Sequence, residues 1–270
     1  MEVLDQPTEG REGKSVETVL AEGYSFDLGA YISEGFKLFG KDAGPYIGFF
    51  FVSIIISAIL GNVPFIGPIA GLLVNPALAG GWYIYARYRA INQEPQFGNF
   101  FDGFKSPGWI QLVLANLVTG IFTGLAAALV LVPAIFILGL DLFADLASLA
   151  EVTDPSEVQE IFFAVFTGKL LLVILLTILI SSLITVLYIL APMFVLYRGM
   201  TFWDAMESSR KVVSKNYLQF LMLLLVLLVL IIVGFMLCCV GLMVAMPVMY
   251  LSLFAAFKHI MGVGEVSSEL

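Results

Sequence analysis

The sequence predicts an all-α polytopic membrane protein, with six transmembrane helices as three hairpins, each preceded by a short amphipathic interfacial helix. Three observations predict it. Of 270 residues, 60% are hydrophobic and only 13% charged, where a soluble domain carries about 25% charged residues. Mean hydropathy is +0.99. Six apolar stretches approach or exceed the roughly 20 residues a spanning helix needs, and nearly all the cations fall on one side of them.

The elements follow in order. Residues 1–24 are polar and acidic and read as a disordered cytoplasmic tail. Residues 25–262 form the six-span membrane domain, and residues 263–270 a short cytoplasmic tail. The spans lie at about 45–61, 67–87, 109–133, 168–192, 217–238 and 241–258. No Asp, Glu, Lys or Arg lies deep within any of them. An acidic leader without a basic segment leaves span 1 to act as its own insertion signal.

Charge sets orientation. All of the 13 Lys and Arg residues except Lys169 fall before span 1, between spans 2 and 3, between spans 4 and 5, or after span 6. The positive-inside rule then puts both termini in the cytoplasm, as in a bacterial inner membrane. Opposite lie two tight turns and a loop at 141–167 bearing Asp141, Asp145, Glu151, Asp154, Glu157 and Glu160. A short helix is expected there from Pro155, lying as a lid.

The cytoplasmic linkers share a theme. At "AYISEGFKLFGKDAGPYIG" and the two residues before it, Leu28, Tyr31, Ile32, Phe36 and Phe39 share a helical face. In "FGNFFDGFKSPGWIQLV", Phe97, Phe100, Phe101 and Phe104 follow i, i+3, i+4, i+7. In "TFWDAMESSRKVVSKNYLQF", Phe202, Ala205, Met206 and Val213 share one helical face at i, i+3, i+4 and i+11, with Thr201 placed to cap the start. Such helices lie in the headgroup plane. Lys37, Lys105 and Lys211 hold similar places in the three linkers, and Arg87, Arg198 and Lys258 end the preceding or final spans as interfacial cations. The chain therefore reads as three copies of one unit, with any symmetry axis along the membrane normal.

The second span of each unit carries a proline, in "NPALAGGWYIYAR", "APMFVLYR" and "MPVMYLSLFAAFK". Proline removes a backbone donor and frees a carbonyl four residues back, which in lipid needs another partner. Either Pro76, Pro192 and Pro247 converge and open a cavity, or they bend the spans for packing. Gly67, Gly71, Asn75 and Ala79 form a small-residue stripe on span 2, and Asn116, Gly120, Gly124 and Ala128 form another on span 3. These stripes predict that spans 2 and 3 cross there, with Asn75 and Asn116 bonding across or lining a polar cavity. Span 5 is nearly all large aliphatic residues and is expected to face lipid or a partner subunit.

Little points to chemistry. His259 is the one histidine, too few for a histidine-based metal cluster, and it is expected at the interface beside Lys258. Cys238 and Cys239 are neighbours in an apolar run. No H-E-x-x-H, G-x-S-x-G, Walker A or C-x-x-C pattern occurs. Ser181, Ser182 and Thr185 are expected to bond back to their own helix. A net charge of −8 argues against nucleic acid. No catalytic, cofactor or metal site is expected, and the expected partners are membrane lipids, a second copy or another membrane protein.

The stretch "APMFVLYRGMTFWDAMESSRKVVSKNYLQF", followed by a long aliphatic hairpin with Pro247, resembles a broad group of bacterial six-span membrane proteins. The group includes the membrane domain fused to some glycerophosphodiester phosphodiesterases. The resemblance covers residues 27–260 and implies the six-span fold. It implies no catalytic residues, and phosphodiesterase activity is not implied for the residues present. The function expected is binding or translocation of an apolar or amphiphilic molecule, or alternatively a structural or regulatory role in a membrane complex.

Overall fold

The computed structural model describes residues 13–91, 93–105, 108–149, 155–237 and 240–263, with their side chains except those of 138 and 140–169. Among the described residues the protein is helical, with no strand. Six helices are long and apolar enough to cross a membrane: Ala43–Gly61, Ile66–Ala90, Trp109–Ile137, Leu170–Arg198, Tyr217–Met236 and Leu242–Met261. Each matches an expected span to within a few residues. The chain divides into two compact units, Met1–Val118 with Val186–Leu270, and Thr119–Thr185.

In chain order the helices are α1 (Val16–Glu22), α2 (Leu28–Lys41), α3 (Ala43–Gly61), α4 (Ile66–Ala90), α5 (Asp102–Lys105), α6 (Trp109–Leu149), α7 (Pro155–Thr185), α8 (Ala191–Arg198), α9 (Phe202–Lys215), α10 (Tyr217–Met236) and α11 (Leu242–Met261). A 3₁₀ turn at Phe97–Phe101 leads into α5, and another at Val186–Tyr188 precedes α8.

The smaller unit holds the later part of α6 and all of α7. Three of its hydroxyls bond back to their own helix: Thr123 donates to Thr119 O at 2.9 Å, Thr177 to Val173 O at 2.7 Å, and Ser182 to Ile178 O at 2.7 Å. This is the back-bonding expected of Ser182. Pro155 does open a helix, but α7 runs on without a break to Thr185, so no separate lid helix forms. The apolar run entering the span extends the helix that Pro155 starts. The acidic side chains of 141–167 lie outside the described residues.

The larger unit has its core in the proline-bearing helices. Pro76 and Pro247 are buried inside α4 and α11, and Pro192 sits in the first turn of α8. Each proline stands near a change of surface. Leu72, Leu73 and Asn75 are exposed, whereas Pro76, Ala77, Leu78, Gly80, Gly81 and Trp82 are buried. Rings then join the three helices. Trp82 stacks on Tyr250 at 5.5 Å, Phe194 meets Phe257 edge-on at 5.1 Å, and Tyr197 OH donates to Tyr83 O at 2.7 Å. The prolines thus lie on helices that converge, and aromatic side chains fill the space between those helices. Trp109 Nε1 donates to Leu73 O at 3.0 Å, next to the carbonyl of Leu72 that Pro76 leaves without its helical donor.

Each linker packs chiefly on a proline-bearing helix: α2 on α11, the Phe97–Lys105 segment on α4, and α9 on α8 and the turn before it. The contact register repeats. Gly35, Gly103 and Ser209 are buried, each two residues before Lys37, Lys105 or Lys211. A Cβ on Gly35 would collide with Ser252 Oγ and stand 3.1 Å from Val248 O; one on Gly103 would collide with Ala77 O. Both carbonyls belong to the residue after a proline. At the third place, Ser209 Oγ donates to Leu187 O at 2.8 Å and accepts from Leu190 N at 3.2 Å. The serine serves backbone groups that the 3₁₀ turn leaves outside the regular helical ladder.

Three further expectations change. Residues 13–24 are not a free tail: Ser15 caps α1 by accepting from Thr18 N, Val16 and Val19 are buried, and Lys14 N donates to Met261 O at 2.7 Å. Val16, Val19 and Leu20 give this acidic segment an apolar stripe at helical spacing. In α2 the buried face is Tyr31, Gly35 and Leu38, while Phe36 is 42% exposed. The four phenylalanines of the second linker do not share one α-helix. Phe100 turns inward, stacked 4.2 Å from Phe49 and 4.0 Å from Tyr85, in a 3₁₀ turn fixed by Gln96 N donating to Asn99 Oδ1 at 2.8 Å. A Cβ on Gly120 or Gly124 meets nothing within 4 Å among the described residues. Cys238 and Cys239 lie outside the described residues.

Candidate functional site

Two polar places stand out in the larger unit. The first is a groove of about 280 Å³ walled by α3, α4 and the start of α6, where Ser57, Asn75 and Asn116 meet. Gly61, Gly67 and Gly71 leave room, and Leu60, Leu72 and Pro68 supply apolar walls. Gly67 is required by the hairpin itself, because a Cβ there would collide with Leu60 O. Ser57 Oγ donates to Asn75 Oδ1 only at 3.5 Å, the limit of a hydrogen bond. The Asn116 amide makes no hydrogen bond among the described residues, and both asparagines are exposed. All three polar residues belong to helices apolar enough to span a membrane. An amide in hydrocarbon without partners costs several kcal/mol, so this groove can take a polar group that arrives on an apolar body.

The second is a cleft of about 460 Å³ between α2 and α11, lined by Asp27, Tyr31, Glu34, Lys37, Lys258 and His259 among others. Two of the expected interfacial cations, Lys37 and Lys258, come together here from opposite ends of the chain. Asp27 caps α2 by accepting from Ala30 N at 2.9 Å. Tyr31 OH lies 2.9 Å from His259 Nδ1 and fixes the ring. Burial raises the Tyr31 phenol above its ordinary range.

The remaining predicted residues are placed apart from both. Pro76 and Pro247 are buried, Pro192 is half-buried, and none of the three lines either place. The Arg87 guanidinium stands 5.4 Å from the Tyr197 ring, an arrangement that stabilises a cation. Arg198 donates to Lys14 O at 2.7 Å. Lys105 pairs with Asp102 at 3.0 Å, and Lys211 lies 3.5 Å from Glu207. Glu207 also takes two hydrogen bonds from Arg210, which hold its carboxyl down to about 2. Thr201 caps α9 as expected, accepting from Asp204 N.

Sequence reasoning missed Ser57 and Glu34, and it read Tyr31 only as part of an apolar helical face. Ser57 sits 18 residues before Asn75 across a hairpin turn, and a pairing of polar positions on adjacent spans is the signal that finds it. Tyr31 and His259 are 228 residues apart, and nothing local links them. Among the described residues no three His, Cys, Asp or Glu gather as a metal site would require. No protein-family model matches this chain, and neither a curated protein nor a solved structure does.

Proposed function

We propose that this chain is a non-enzymatic integral protein of a bacterial cytoplasmic membrane that binds an amphiphilic, lipid-like molecule and helps it move within or across the bilayer. In this reading the six spans form three hairpins with both termini cytoplasmic. The three linkers lie at the cytoplasmic headgroup layer, with Lys37, Lys105 and Lys211 turned to phosphates. The polar part of the ligand sits in the groove at Ser57, Asn75 and Asn116, and its apolar part lies along the aliphatic walls.

One observation carries this: two asparagines, on different helices that are each apolar enough to span a membrane, line one groove with almost no hydrogen bonds of their own. The space between α4, α8 and α11 is filled by rings, so a path around the core fits better than one through it. The test is photo-crosslinking in native membranes from a diazirine amino acid at Leu72. Lipid adducts should form there and fall sharply when Asn75 and Asn116 are both leucine. Equal adduct yield in that double variant would refute the reading.

A second reading, a structural or regulatory subunit, is favoured by α10. Its Leu218, Met222, Val229, Phe235 and Met236 are all strongly exposed, Met236 at 75%. Lipid or another protein's helix can cover this face. Native mass spectrometry from mild detergent separates the two readings: a stoichiometric oligomer or complex supports the second, and a monomer carrying lipid supports the first.

A further inference from the structure

We propose that the cleft between α2 and α11 is a headgroup site for a zwitterionic phospholipid whose amine bears hydrogens, a phosphodiester joined to a primary ammonium. The argument starts from unbalanced charge. Lys37 and Lys258 both line the cleft, and among the described residues neither has a carboxylate within ion-pair distance. Glu34 lines the same cleft and is likewise without an ion pair, although it stands one helical turn before Lys37. Asp27 has one oxygen engaged with Ala30 N and, among the described residues, makes no ion pair. Two cations and two anions thus face one space of about 460 Å³ without neutralising each other.

A ligand of one sign satisfies half of this set and is repelled by the other half. A phosphate with an ammonium a few bonds away satisfies both: Lys37 and Lys258 pair with the phosphodiester, and Glu34 and Asp27 pair with the amine. A primary ammonium offers three N–H donors to carboxylates, whereas a trimethylated amine offers none, so the cleft selects ethanolamine-type over choline-type headgroups. His259, held by Tyr31, adds a ring nitrogen at the same rim. The placement suits a lipid. Lys258 and His259 lie in the last turn of α11, a helix apolar enough to span the membrane, and basic pockets at that level take headgroups. This site is separate from the Asn75–Asn116 groove and does not depend on it.

The test uses the full chain in mild detergent, titrated with phosphatidylethanolamine, phosphatidylcholine or phosphatidylglycerol and read by native mass spectrometry. Phosphatidylethanolamine should be retained most strongly. K37Q/K258Q should weaken its retention about tenfold or more, while K37R/K258R keeps it. E34Q should erase the preference over phosphatidylglycerol without lowering phosphatidylglycerol binding. Thermal unfolding of each variant, matching the parent, excludes loss of fold as the cause. The N75L/N116L variant should bind as the parent does, so failure of the groove and failure of the cleft are told apart. Equal retention of the three lipids, unchanged retention in K37Q/K258Q, or displacement by an equal concentration of free O-phosphoethanolamine would each overturn the assignment of a lipid headgroup here.

Discussion

Gly35 on α2 lies directly against Ser252 on α11, so close that a Cβ would collide with the serine hydroxyl. The contact ties residues more than two hundred positions apart and packs α11 against α2. Replacing Gly35 with leucine should destabilise the protein by about 1–3 kcal/mol through overpacking. Gly40 on the same helix has nothing within 4 Å of its Cβ position, and G40A should change little. Thermal melts in detergent check the pair.

Ser209 does for α9 what Gly35 does for α2, but with hydrogen bonds. S209A leaves Leu190 N and Leu187 O short of a partner in a buried place, a loss of about 1–3 kcal/mol. Hydrogen exchange at residues 186–190 should quicken in S209A. Unchanged exchange there would mean that the 3₁₀ turn stands without the serine.

Glu207 gives a pH signature. Its carboxyl is held from an ordinary 4.5 down to about 2, first by hydrogen bonds from Arg210. A depressed carboxylate contributes stability that is whole above 4.5 and is lost as pH falls toward 2. The pair is well exposed, so the contribution is below about 1 kcal/mol. E207Q and the parent should therefore differ slightly at pH 6 and converge near pH 2. A difference that persists at pH 2 would assign the effect to packing instead.

Topology has its own check. In a background with Cys238 and Cys239 replaced, S156C should react with an impermeant thiol reagent added to intact cells. Labelling only after lysis would invert the orientation or change the number of spans.

Much of this fold is legible in the sequence because lipid imposes one demand, a long apolar helix, that composition reports directly. Span limits, the Thr201 cap and the Ser182 back-bond are local features and read out as such. Partner choice is not local. Nothing in "AYISEGFKLF" says that Gly35 meets Ser252 rather than a residue of α3. Phe36 and Leu38 both look like core until the neighbouring helix selects Leu38. Asn75 and Asn116 were visible as polar residues in apolar spans, and their meeting in one groove is consistent with the stripes that carry them. The cleft at Lys37 and Lys258 was not visible, because it forms from the two ends of the chain. The matched spacing of Gly35, Gly103 and Ser209 before a lysine was present throughout, and it gains meaning only beside the prolines of α4, α8 and α11.

The most direct measurement is a density map of the full chain in lipid nanodiscs, read at the groove between α3, α4 and α6. The account predicts elongated density with its polar end within about 3 Å of the Asn75 or Asn116 amide and its tail along Leu60 and Leu72. A groove closed by direct contact between the two asparagines, with no ligand density, would contradict it.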